Sequence, residues 1–245
     1  MKDSPKNSQI GGLPKSTSHG TLSPSRLIKR IPAIFFQTEA GSEPVRSWLK
    51  EMAREDRRLI GEDIKSVEFG WPIGMPTWRP LGDGLYEVRT DLPGNRISRV
   101  FFYVDTKQRM VLLHGILKKT RATPPSDLDV ARKNMRKHEK GIEVSTLEKP
   151  AFDHSGSTFD SFLEEEGILD EVEAVAIKRV IAWQLSEAMR VGNITKKLMA
   201  ERLGTSRSQL DRLLDPENSA VHLQTIAKAA RAVGKRLRLE MVDAA

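Results

Sequence analysis

The sequence predicts an α+β protein, with a small antiparallel sheet and its helices first and an all-α unit ending in a short strand after it. Three observations lead there. Residues 81–120 hold three runs in which apolar and polar side chains alternate, the period of strands with one buried face. Residues 43–70 and 171–190 instead repeat their apolar positions at helical spacing. Charge divides the same way: residues 1–150 carry 27 Lys and Arg against 18 Asp and Glu, while the rest carry 13 against 15. The chain therefore divides into a tail (1–29), a basic α+β unit (30–140), a linker (141–157) and a helical unit (158–245).

Taken in order, residues 1–29 are dominated by Ser, Pro, Gly and Lys and lack an apolar signal core, which predicts a disordered tail. Ile31 to Gln37 reads as a strand, and Pro32 confines it to a sheet edge or to the start of a strand. Val45, Trp48, Leu49 and Met52 form one helical stripe; Leu59, Ile60, Ile64 and Val67 form a second, interrupted at Gly61. The Pro- and Gly-rich segment WPIGMPTWRPLGDG (71–84) is expected to be a loop.

The three alternating strands follow, with a turn at Asp91–Asn95. Alternation puts Leu85, Glu87 and Arg89 on one face of the first strand. It puts Ile97, Arg99, Phe101 and Tyr103 together on the second, and Leu112, His114, Ile116 and Lys118 on the third. A basic helix over Asp127–Lys140 closes the unit. Residues 141–157 show no apolar period. An acidic run then spans Asp160 to Glu173, overlapping a long amphipathic helix from Glu171 to Arg190. That run is expected either to lie over the cationic sheet or to form a solvated helix face.

Near the C-terminus, MAERLGTSRSQLDRLL (199–214) has the parts of a helix-turn-helix. Ala200 is small enough for helix contact, Gly204 makes the turn, and Leu210 and Leu213 share one face of the second helix. Thr205 or Ser206 caps that helix, which then offers Arg207, Ser208, Gln209 and Arg212, side-chain types that reach base edges and phosphates in a major groove. A further helix (222–234) and a strand-like tail (235–242) complete the unit. Such proteins usually dimerise to reach two half-sites, so a homodimer on operator DNA is expected.

Composition narrows the function. With no cysteine, thiol catalysis, disulfides and cysteine-held zinc are excluded, and a reducing cytoplasm is the expected location. No run of eighteen apolar residues predicts a membrane span. The basic first unit calls for a polyanionic partner. Cutting RNA without a metal or cofactor requires a group to take the 2′-hydroxyl proton, a group to protonate the leaving 5′-oxygen, and cations for the developing charge. Histidine suits the proton transfers, with an unperturbed pKa of roughly 6.5. His114 is accordingly the acid–base candidate, and Arg89, Arg99, Lys118 and Lys119 are the phosphate-binding candidates. Glu87 as a base is the weaker option, since it can pair with a neighbouring Arg. Tyr86 and Tyr103 are candidates for stacking on bases.

GLYEVR, RISRVFFYV and VLLHGILKKTRATPPSDLDVARKNM resemble the HigB-like toxins of the RelE superfamily, in their phage-derived branch, over roughly residues 30–140. From about residue 153 onward the chain resembles the XRE-type HigA-like antitoxins. The resemblance implies an endoribonuclease cutting mRNA, typically on the ribosome, joined to its own DNA-binding antitoxin, which would hold it inactive and repress the promoter. It implies site roles for Arg89, Arg99, His114, Lys118 and Lys119; the tyrosine that RelE-type toxins carry near the last helix has no counterpart in RATPPSD.

Overall fold

The computed structural model describes residues 30–72, 77–118, 124–144, 152–218 and 220–238; the expected tail lies outside them. The strands are β1 (Ala33–Phe36), β2 (Trp78–Gly82), β3 (Leu85–Leu92), β4 (Arg96–Val104), β5 (Met110–Lys118) and β6 (Ser155–Thr158). They form one sheet in the order β2-β3-β4-β5-β1-β6. The helices are α1 (Pro44–Lys50), α2 (Arg54–Gly70), α3 (Pro125–Val144), α4 (Phe159–Glu165), α5 (Leu169–Val191), α6 (Lys196–Leu203), α7 (Arg207–Leu214) and α8 (Leu223–Ala232).

The α+β class holds, but the sheet is mixed rather than purely antiparallel, because β1 runs parallel to β5. β1 is also interior rather than at an edge, and Pro32 precedes its first residue, where a missing N–H removes no ladder bond. The expected loop 71–84 contains β2, paired antiparallel with β3. Its Pro80 is tolerated because β2 is the outermost strand. The expected linker is helical through Val144 and becomes β6 at Ser155, antiparallel to β1. Of the expected C-terminal strand, Lys235–Arg238 form no strand and the remainder lies outside the described residues.

Both faces of the sheet are apolar. Val88, Val100, Phe102 and Leu112 meet α1 and α2 through Val45, Leu49, Ile60 and Ile64, and this core continues into Phe159, Phe162 and Val172 of α4 and α5. Leu85, Phe101, Tyr103, Val111 and Leu113 meet α3 through Leu128, Ala131 and Met135. Phe159 and Phe162 each set a ring edge-on to Phe35, with centroids 5.8 Å apart. Gly61 lets this happen: a Cβ there would lie 3.3 Å from Leu163, so the interruption of the α2 stripe is the place where α4 closes on α2. Thr158 caps α4 by accepting from the Ser161 N–H.

The acidic run does not cover the cationic sheet: several of its members dock on α1 and α2, while Glu164 and Asp170 are exposed, as on a solvated helix face. Glu165 pairs with Arg46 at 2.5 Å and Lys50 at 3.3 Å, Glu166 with Arg57 at 3.1 Å, and Glu171 with Arg58 at 3.6 Å. The fully buried Lys65 ammonium gathers Glu68 at 3.0 Å, Asp160 at 2.5 Å and Glu173 at 2.6 Å. The outer pairs are individually weak, whereas removing Lys65 would leave carboxylates without their cation, at a cost of about 3–5 kcal/mol. All of these cations belong to α1 and α2, on the side of the sheet away from α3.

Two further joints bind the last helices to this body. Arg179 on α5 donates to Glu62 at 2.9 Å and Asp63 at 3.0 Å on α2, and to Glu217 at 3.0 Å just beyond α7. Burial pushes the Asp63 carboxyl up to about 7. Lys178 donates to the carbonyls of Leu213 and Asp215, at 3.1 and 2.7 Å, at the C-terminal end of α7. α6, α7 and α8 share a separate small core with the second half of α5, made by Ile181, Leu185, Met199, Leu210, Leu213 and Ile226.

On the α3 side, fully buried His138 meets the Tyr103 hydroxyl at 2.6 Å through Nδ1 and Ser155 Oγ at 3.2 Å through Nε2. Arg109 donates to the same Ser155 oxygen at 3.0 Å, so β6 is tied to α3 as well as to β1. Burial holds His138 down at about 4. As pH falls the unfolded chain takes up this proton first, so the contribution is full above about 6.5 and is lost toward pH 4.

Two outcomes follow for stability. Phe162→Ala should cost about 3–5 kcal/mol in urea unfolding, because the ring fills the core under β1; a change below 1 kcal/mol, on the same order as a surface substitution, would show that α4 is not part of that core. His138→Gln should flatten the acid limb, removing up to about 2 kcal/mol of the loss the parent shows between neutral pH and pH near 4.5. Identical slopes in the two proteins would contradict the buried neutral imidazole.

Candidate functional site

Residue pairing between β4 and β5 shifts at Phe101/Phe102: Phe101 faces His114 while Phe102 faces Leu112. One extra residue on β5, Leu113, is absorbed as a bulge. Strict alternation would put Leu112 on the His114 face; the bulge sends it to the opposite face, into the core with Phe102. His114 itself stacks on Phe101 at 6.0 Å with the rings 12° apart. Gly115 points the other way, and a Cβ there would lie 2.4 Å from Trp48 of α1, so only glycine lets α1 lie this close behind the histidine.

The imidazole is half-buried and meets a partner that sequence reasoning did not single out as a site residue. His114 Nε2 lies 3.1 Å from Oδ1 of Asp127, in the first turn of α3. Asn134 holds the same helix to the strand by donating to the Leu113 carbonyl at 2.9 Å. Nothing in the sequence marks Asp127, because the pair forms only when α3 folds back over β5.

The predicted cations share this face of the sheet, but not one environment. Arg89 sits opposite Arg99 in the ladder, and Arg99 opposite Ile116. Arg99 is 1% exposed, and its guanidinium faces the buried Glu87 at 3.2 Å. Glu87 also takes Arg79 at 2.5 Å from the edge strand. Arg99 is therefore beneath the surface, already neutralised, and a phosphate cannot reach it without displacing Glu87. Arg89 is partly exposed, with an exposed partner, Asp91, at 3.1 Å. Lys118 is half-exposed at the end of β5 and engages no carboxylate among the described residues. Lys119 lies outside the described residues. The tyrosines are not stacking platforms: Tyr103 is buried against His138, and Tyr86 is packed among Trp71, Trp78 and Phe102.

At the other end of the chain, α6 and α7 are joined through Gly204, whose φ of 63° is the left-handed conformation that glycine takes without strain. Leu210 and Leu213 are buried, while Arg207, Ser208, Gln209 and Arg212 are exposed. Ser206 caps α7 by accepting from the Gln209 N–H at 3.2 Å, and Thr205 hydrogen-bonds the Gln209 side chain.

Comparison with known families finds a match over part of the chain. Residues 47–136 match the phage derived protein Gp49-like family (DUF891). It is a RelE/HigB-like toxin family. The Gp49-like segment starts in α1 and stops in α3, so it holds β2 to β5 and both His114 and Asp127. β1, β6 and α4 to α8 fall outside it. No curated protein matches the chain.

The two kinds of cation within the Gp49-like segment separate experimentally. Glu87→Ala should cost about 3–5 kcal/mol of stability by stranding the buried Arg99 charge. Lys118→Ala should change stability by no more than about 0.5 kcal/mol. Equal losses in chemical denaturation would contradict this division.

Proposed function

We propose that the chain is a metal-independent endoribonuclease of the RelE/HigB-like kind, acting on mRNA at the ribosome, and that its last helices form an antitoxin-like, operator-binding helix-turn-helix. The observation that carries the first part is the His114–Asp127 pair on a cationic sheet face inside the Gp49-like segment. By accepting a hydrogen bond from Nε2–H, Asp127 orients the ring and leaves Nδ1 as its basic nitrogen. His114 then takes the 2′-hydroxyl proton as that oxygen attacks the phosphorus. Lys118 and Arg89 stabilise the charge that develops on the phosphate oxygens. Arg99, held by Glu87, is a positioning residue under the site rather than a phosphate ligand. The departing 5′-oxygen takes its proton from water.

The exposed polar face of α7 and the turn at Gly204 support the second part, with Arg207, Ser208, Gln209 and Arg212 as the base- and phosphate-reading side chains. Ser206 and Thr205 position α7. Toxins of this kind act with an antitoxin partner; here the C-terminal helices would take that place in the same chain, as a homodimer on DNA. Their contacts on α1 and α2 support restraint of the first unit from behind the sheet, not occlusion of His114.

A second reading makes the chain a DNA-binding autorepressor with an inactive RelE-like unit. The burial of Arg99 against Glu87 favours it, since one expected cation is withdrawn. One experiment decides: the full chain is added to a translating extract, transcript 5′ ends are mapped, and binding to its promoter fragment is measured in parallel. The nuclease reading expects new 5′ ends that fall about 100-fold or more in His114→Ala and by less in Asp127→Asn. Promoter binding with no new 5′ ends, both with operator DNA present to occupy the C-terminal helices and without it, would favour the autorepressor instead.

A further inference from the structure

The cations of α1 and α2 are matched by the chain's own acidic run, whereas those on the outer face of α3 are not. Lys133, Arg136 and Lys140 recur at i, i+3 and i+7, are exposed, and make no ion pair among the described residues. They point away from the side on which Ala131, Met135 and His138 pack against the sheet. Arg132 and Lys137 flank them, each with one well-exposed carboxylate nearby, Asp83 at 3.9 Å and Glu39 at 3.6 Å.

We propose that this outer face of α3 is a contact surface for the RNA backbone, with Lys133, Arg136 and Lys140 holding successive phosphates of the strand whose cleavage is assigned to His114. The proposal rests on the ribonuclease reading and extends it to how the substrate is held. Seven helical residues span about 10 Å, within reach of neighbouring phosphates on one flexible strand. Asp127 lies about 9 Å along the axis from Lys133 but on the flank turned to the sheet, so a strand held on the stripe reaches the proposed chemistry by crossing the first turns of α3, past exposed Asp129. No aromatic side chain lies on the stripe, which suits a grip on phosphate that ignores base identity.

Charge complementarity singles out the occupant. An acidic protein segment is already available at high effective concentration in the tethered Asp160–Glu173 run, and it docks on α1 and α2 instead. A bilayer would need apolar side chains beside the cations, and Val130 is the one large hydrophobic among the described side chains of α3 that is substantially exposed.

The test is binding rather than cleavage, so that it stands apart from the chemistry. The full-length protein is titrated with a labelled single-stranded RNA oligonucleotide over a salt series. The same is done for Lys133→Ala/Arg136→Ala/Lys140→Ala, with near-UV circular dichroism confirming the fold. Each lost phosphate contact lowers the slope of log K against log salt by about 0.7, so the triple variant should lose about 2. His114→Ala should keep the parent slope, and the triple variant should bind duplex promoter DNA as the parent does. A slope lost on RNA with no cleavage by any variant would sink the nuclease reading and leave this surface standing. An unchanged RNA slope, an equal loss on duplex DNA, or a loss seen only with anionic vesicles would overturn the surface itself.

Discussion

Each apolar face of the sheet has to be covered, and the two covers come from different parts of the chain. α3 closes one face. α1 and α2 close the other only with help from α4 and the start of α5, whose Phe159, Phe162 and Val172 complete the core. This makes residues 155–173 part of the same folded body as the Gp49-like segment, although the segment ends in α3. The ion pairs of the acidic run decorate this arrangement; buried Lys65, surrounded by carboxylates from α2, α4 and α5, locks it.

The same division of labour leaves the candidate site accessible. His114 and Lys118 lie on the α3 face, and the C-terminal helices attach to the opposite one through Arg179 and Lys178. The ion pairs of the acidic run and the candidate site thus lie on opposite faces of the sheet. Even within the site this separation persists, since Arg99 and Glu87 form a neutral buried layer while Arg89 and Lys118 remain nearer solvent.

What could be read from the sequence follows from which signals are local. Period-two alternation identified β3, β4 and β5, because each has one face against a core. Helical spacing found α1, α2 and α5 for the same reason. β2 escaped because Pro80 and Gly82 punctuate it within a Pro- and Gly-rich segment, and its five residues are too short to show a period. β6 escaped because SGST carries no apolar side chain; its place is set by hydrogen bonds, from its backbone to β1 and between Ser155 and both His138 and Arg109. The bulge at Leu113 has no compositional mark, so Leu112 was placed on the wrong face. At the site, His114 was legible from its strand and its cationic neighbours, whereas Asp127 is contributed by a fold-back across thirteen residues. That Glu87 can pair with a neighbouring Arg was legible, but that the partner is Arg99, diagonal to it across the β3–β4 ladder and buried, depends on the strand register.

β6 also bears on how such a protein can be governed. A regulator made as a separate molecule can be diluted or degraded while its target survives, and the target is then released. Here β6 is hydrogen-bonded into the sheet, so a regulator in the C-terminal half, as proposed, would be joined to its target in fold as well as in sequence. On that proposal, release would be a change of state within one polypeptide rather than a matter of unequal lifetimes.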